Sequence, residues 1–216
     1  MKKLLLSIFV AAGSATAANA QIAPEVGLNM ANMTFKTAGG YIPPGTAIST
    51  SLKTGFTVGI IRERSLTDNL FLQPGLFYLM NGCNFTGGGS YNINTVQIPI
   101  NIAYKPGQAG SNRFFFGGGP YIGYNISGTL HTGGSSKAIN ISLYQGYGLK
   151  PFDGGLGINA GVLLLSDFYF RLHYQRGLIN LRPGGDANNS TKTSAISITL
   201  GYYFGSKYAE ESKDKE

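Results

Sequence analysis

The 216-residue sequence predicts an all-β chain, an eight-stranded antiparallel up-and-down transmembrane β-barrel, and three observations lead there. Apolar side chains recur at every second position in Val96, Ile98, Ile100, Ile102 and Tyr104, in Ile196, Ile198, Leu200, Tyr202 and Phe204, and in Phe168, Phe170, Leu172 and Tyr174. Successive side chains of a strand point to opposite faces, so each segment carries one apolar and one polar face. No stretch after the N-terminal segment approaches the roughly 20 apolar residues of a transmembrane helix, so a membrane crossing must be made by strands. Finally, the links between segments alternate between long and short, as they do at the two ends of an up-and-down barrel and have no reason to do in a soluble sandwich.

The elements follow in order. Lys2 and Lys3, the apolar residues 4–12 and the small-x-small sequence Ala18-Asn19-Ala20 before Gln21 form an export signal, residues 1–20, expected to be cleaved. Residues 21–205 form the barrel domain, and residues 206–216 a charged tail on the periplasmic side. Strands are expected at 25–34, 51–61, 70–81, 94–104, 113–127, 151–164, 167–180 and 193–204. The long links are 35–50, 82–93, 128–150 and 181–192, rich in Gly, Ser, Thr and Asn; the short ones are 62–69, 105–112 and 165–166. An even strand count puts both termini at the end with the short links, the periplasmic end of an outer-membrane barrel.

Composition agrees. Charged residues are 12% of the chain, against roughly 25% in soluble proteins, while 43% are hydrophobic, which suits a surface wetted mainly by lipid. The formal charge of +7 is not gathered into any dense Lys/Arg run, so nucleic acid is not an expected partner. Cys83 is the single cysteine, which excludes an intrachain disulfide and a cysteine zinc site, and export without disulfides fits a bacterial envelope. On that reading the Asn-x-Ser triplets at Asn125 and Asn140 are accidents of composition.

Aromatic residues on the apolar register should form two interfacial rings: Tyr104, Phe114, Phe116, Phe168 and Phe204 at the periplasmic rim, and Tyr78, Tyr124, Phe152 and Tyr174 at the outer one. The opposite register should line the lumen with Glu25, Asn29, Lys53, Gln73, Gln97, Asn101, Asp153, Asn159, Arg171, His173 and Gln175. Eight strands enclose a space that side chains can fill. Glu25, Lys53, Asp153, Arg171, His173 and Gln175 are therefore expected to form a structural polar cluster in which Arg171 and Lys53 pair with Glu25 or Asp153, because unpaired buried charge is costly. Pro74, Pro99 and Pro120 fall inside strands of a sheet without edges, and each should mark a bulge or kink.

Candidate chemistry is sparse. Residues 155–160 spell the Gly-x-Gly-x-x-Ala dinucleotide pattern, but inside a strand instead of at a strand-to-helix turn, and Gly117-Gly118-Gly119 has no following lysine, so no cofactor is expected. His131 has no evident partner ligands, and no metal site is expected. His173 with an acid such as Asp153 could serve a lipid-modifying enzyme, yet no serine is evident beside it and a lumenal position keeps lipid away; no catalytic residue is assigned.

Val96-Gln97-Ile98-Pro99-Ile100, the segment 150–156, the glycine-rich 157–162, Arg171 through Leu178 and the early Gly27-Leu28-Asn29 together resemble the PorT-like outer-membrane β-barrel family, in order and spacing across nearly the whole mature chain. The resemblance implies a small barrel in a Gram-negative outer membrane, in some members with a role in secreting proteins to the cell surface. Residues 205–216 depart from it by following the terminal aromatic Phe204. The expected function is that of a non-enzymatic integral outer-membrane barrel that anchors the envelope or presents loops, above all 128–150. The alternatives are a lipid A-modifying enzyme and a small passive channel. Expected partners are outer-membrane lipid and lipopolysaccharide, the barrel-assembly machinery, and envelope or secretion proteins.

Overall fold

The computed structural model describes residues 20–39, 42–107, 111–141 and 148–204. Residues 1–19, 40–41, 108–110, 142–147 and 205–216 lie outside the described residues, and with them nearly all of the expected export signal, the expected charged tail and part of the longest expected link. Eight long strands carry the fold: β1 (Ala20–Gly39), β2 (Lys53–Ser65), β3 (Leu70–Phe85), β4 (Ser90–Tyr104), β5 (Arg113–Thr132), β6 (Phe152–Leu163), β7 (Phe168–Gly177) and β8 (Ser190–Tyr202). Each pairs antiparallel with its sequence neighbour, and β8 returns to β1, so the ring is closed. Closure leaves no barrel strand with an unpaired edge, the condition for a sheet in hydrocarbon.

The two registers separate as the alternation dictates. The outward set Ile98, Ile100, Ile102, Phe168, Phe170, Leu172, Tyr174, Ile198 and Leu200 is exposed, while the intervening Gln97, Asn101, Arg171, Gln175, Ser197 and Thr199 are buried inside the ring. A soluble fold does the reverse. Aromatic contacts mark both ends of the apolar band. Tyr202 packs on Phe168 and Phe204 at the end that holds the described termini, and Tyr124 packs on Phe152, and Phe56 on Tyr78, at the other. We refer to these as the terminal end and the loop end.

Strand lengths differ from the expected ones, chiefly at the loop end. β3 and β4 continue to a tight turn at 86–89, so most of the expected link 82–93 is hairpin. β1 runs to Gly39 and Ile42–Ile48 pairs back on it, while β5 runs to Thr132 and Ser135–Ala138 pairs back on that. Gly, Ser, Thr and Asn mark these stretches as polar without preventing ladder formation; they are ladders that outrun the apolar band. In the opposite sense, β7 ends at Gly177 instead of 180, where the amides of Leu178 and Ile179 donate to the carbonyl of Gly154.

The prolines do not bulge the barrel. Pairing across Pro74 and Pro99 skips rungs and resumes in the same register, and Pro120 stays in register opposite Leu156. The register shift between barrel strands falls at Asn94/Thr95 opposite β5. A missing donor costs a ladder bond, which these strands absorb by leaving single rungs open and keeping their alternation.

Candidate functional site

The barrel interior is the most densely organised polar region among the described residues, and it forms tiers. At the terminal end, Glu63 near the end of β2 and Lys105 just after β4 lie 2.7 Å apart, both essentially buried. The second Glu63 oxygen accepts hydrogen bonds from Tyr203 Oη at 2.7 Å and Gln73 Nε2 at 2.6 Å, and Lys105 Nζ also donates to Tyr203 Oη. The ammonium sits over the rings of Tyr203 and Phe71, at 4.4 and 4.8 Å. Glu63 and Lys105 are therefore paired with each other and walled by aromatic surface, which a buried ion pair requires to repay its desolvation.

One tier inward, Glu25 of β1 accepts hydrogen bonds from Tyr169 Oη at 2.5 Å and Thr199 Oγ1 at 3.0 Å, and Arg171 Nη2 of β7 lies 3.3 Å from its Oε1. The Arg171 contact is an ion pair without hydrogen-bond alignment, and the guanidinium lies over Phe115 and Tyr169. These rings fit because the wall beneath them is glycine. A Cβ at Gly161 would run into Phe115, and one at Gly201 into Tyr169.

Towards the loop end the charges give way to a neutral belt. Ser197 Oγ donates to Asn29 Oδ1, Asn29 Nδ2 to Asn81 Oδ1, Asn81 Nδ2 to Thr95 Oγ1, Thr95 Oγ1 to Asn125 Oδ1, and Asn125 Nδ2 to the carbonyl of Lys150. Asn29 reaches Asn81 past β2 because its partner there, Gly55, has no side chain. Above the belt, Met33, Cys83, Ile93, Leu149 and Leu181 close the lumen with an apolar cap. Cys83, the one cysteine of the chain, is buried among these apolar side chains.

The sequence-selected residues distribute over these tiers. Arg171 sits beside Glu25, and Gln175 accepts from Gln97 Nε2 at 2.9 Å. Asp153 stands apart and accepts from Thr193 Oγ1 at 2.7 Å and from the Gly154 amide. Lys53 pairs with neither carboxylate, contrary to expectation. Its rung partner on β1 is Ala31, six residues beyond Glu25, and Lys53 Nζ donates to Ser90 Oγ at 3.2 Å. His173 does not meet Asp153 either, because the register puts Asn159 opposite it on β6, while on β8 it faces Ser197, a serine that alternation alone did not reveal. Ser197 is already committed to Asn29. Among the described residues no group of His, Cys, Asp and Glu could hold a metal ion.

Glu63 and Lys105 were not among the expected lumenal residues, since both were assigned to links. The missed signal is simple: Glu63 continues the two-step from Thr57 through Ile61, and Lys105 the one from Asn101 through Ala103. Between the charged tiers and the belt, Glu25, Gln97, Asn101, Arg171, His173, Ser197 and Thr199 surround a small polar cavity of about 30 Å³, with room for ordered water and for nothing larger.

A family model described as the outer membrane protein beta-barrel domain matches residues 12–182. No curated protein sequence matches. Among solved structures, the attachment invasion locus protein Ail of Yersinia pestis aligns over 86% of this chain and 99% of its own at 11% identity, with a TM-score of 0.43. OprG of Pseudomonas aeruginosa aligns over 86% and 96% at 15% identity with a TM-score of 0.49, and Neisserial surface protein A over 86% and 97% at 13% identity with a TM-score of 0.45.

Proposed function

The chain belongs to the outer membrane protein beta-barrel domain family and is an integral β-barrel protein of the bacterial outer membrane; within that frame we propose that it is a closed, non-conducting and non-enzymatic barrel that holds its loop end out to the cell exterior. The observation that carries this reading is the filled interior. Ion pairs, aromatic rings, a hydrogen-bonded belt and an apolar cap occupy the lumen in succession, and the cavity among them measures about 30 Å³. A hydrated ion or small solute needs a continuous path, and crossing this one requires breaking buried ion pairs at several kcal/mol each. On this reading residues 1–20 are a cleaved export signal, the terminal end and the charged tail 206–216 face the periplasm, and the assembly machinery inserts the barrel.

Planar-bilayer recordings of the refolded protein test the proposal: a flat baseline is expected, and discrete conductance steps overturn it. His173 argues against the enzyme alternative, since it faces the lumen, where a membrane lipid does not reach, and its rung partner Ser197 is engaged by Asn29. Unchanged lipid A mass spectra for His173→Ala cells are the expected result. A link to surface secretion rests on the PorT-like resemblance of segments such as 96–100 and 171–178, and deletion followed by a surface-protein assay tests it.

A further inference from the structure

On the outer wall three cations share one arc at the loop end. Lys36 of β1, Lys192 of β8 and Arg176 of β7 line a single cleft of about 450 Å³ at the loop end, with Thr34, Leu178, Asn180 and Ser190 between them. The three strands are consecutive in the ring, and the cross-strand rungs Lys36↔Ser190, Thr34↔Lys192 and Arg176↔Ser194 bring the cations to neighbouring levels. All three lie on the register that carries the apolar belt lower down: Arg176 follows the belt residue Tyr174 by two positions, and Lys192 stands four before Ile196. That height is where hydrocarbon gives way to headgroups.

The cleft sets three cations against one carboxylate, Asp186, whose Oδ1 accepts the amides of Asn188 and Asn189 and which forms no ion pair with Lys36, Arg176 or Lys192 among the described residues. The wall of the cleft is braced, with Asn180 Nδ2 donating to the carbonyls of Asp186 and Asn189. On β3, β4 and β5 the corresponding outward positions Asn84, Asn94 and Ser127 are neutral, with Asn94 bonded to Ser127, and the loop-end cations Lys137 and Arg182 line a separate cleft. Concentrating unpaired cations on one arc at the membrane surface repels like charge at no structural benefit unless an anion neutralises them. Leu178, exposed in the same cleft, offers an apolar contact beside the charges.

Resting on the outer-membrane reading and its orientation, we propose that this cleft is a binding site for the phosphate groups of lipid A, with Lys36, Arg176 and Lys192 as the ligands and an acyl chain lying against Leu178 and Tyr174. The full-length protein refolded into phosphatidylcholine nanodiscs is titrated with lipid A. The K36Q/R176Q/K192Q variant is expected to bind about 100-fold more weakly, the charge-preserving K36R/R176K/K192R variant to bind as the parent does, and enzymatically dephosphorylated lipid A to show the same loss on the parent. Equal affinity of the parent and the glutamine variant overturns the site. Competition by millimolar inorganic phosphate alone overturns the lipid as its source. Heat-modifiable gel migration of the same samples separates the two levels of inference: a parent that fails to shift defeats the membrane-barrel reading itself, whereas shifting proteins with equal affinities defeat only the cleft.

Discussion

The two halves of the lumen solve the same packing problem with opposite chemistry. In the terminal half, Glu63, Lys105, Glu25 and Arg171 are stacked between the rings of Phe71, Phe115, Tyr169 and Tyr203. In the loop half, Asn29, Asn81, Thr95 and Asn125 exchange neutral hydrogen bonds beneath an apolar cap, and the one buried carboxylate there, Asp153, is held by Thr193 and the Gly154 amide without an ion pair among the described residues. Both fill a space of the size that eight strands enclose. They differ in how failure is punished: a neutral group that loses a partner costs its own desolvation, whereas a buried ion left alone costs several times more. The terminal half is therefore specified by exact pairing and the loop half by shape and hydrogen-bond count, which leaves the loop half freer to vary.

The largest effect should come from Glu63→Ala. It leaves Lys105, 1% exposed, with Tyr203 Oη as its remaining polar contact, and the expected loss is about 3–5 kcal/mol, read as a lower urea midpoint for the gel-shifted folded form in lipid vesicles. Replacing both partners, Glu63→Met with Lys105→Met, should recover most of that loss because no unpaired ion remains. If the double variant is no more stable than the single one, the terminal half is held by something other than paired charge.

A smaller effect is expected at Gly201, whose missing side chain makes room for the Tyr169 ring that in turn bonds Glu25. Gly201→Ala overpacks the same tier, and about 1–3 kcal/mol is expected. A double-mutant cycle with Tyr169→Leu isolates the cause. The alanine should cost markedly less on the leucine background, and equal costs on both would mean that Gly201 acts through the backbone and not through the ring.

How much of this was legible depended on the scale of the signal. Alternation alone assigned Glu25, Gln73, Gln97, Asn101, Arg171 and Gln175 to the lumen and Ile98, Ile100, Ile102 and Tyr104 to the outside, because period two is a local property that the sheet cannot override without slipping every side chain. Strand ends were less legible. Glu63 and Lys105 read as link residues because charge usually ends a strand facing lipid, yet here the charge faces inward. Cross-strand partners were legible only in part: the expected Arg171–Glu25 pair forms, whereas Asp153 and His173 lie on adjacent strands but register, set by the 164–167 turn, puts Asn159 opposite His173. The outward cations were equally hidden, since Lys36, Arg176 and Lys192 are scattered in sequence and meet only when β8 closes onto β1.

The smallest effect, and the one that sharpens the comparison most, is expected from Thr95→Val. The substitution keeps the shape and removes one hydroxyl, which accepts from Asn81 Nδ2 at 3.1 Å and donates to Asn125 Oδ1 at 2.9 Å. Each of those amides keeps a second bond, Asn81 through Asn29 and Asn125 through the Lys150 carbonyl. The belt is cut once and no charge is stranded, so about 1 kcal/mol is expected, measured by the same urea titration. A loss as large as that of Glu63→Ala would show that the belt acts as one cooperative unit, with hydrogen bonds that strengthen one another around the ring, and the contrast between a strictly paired terminal half and a tolerant loop half would then fail.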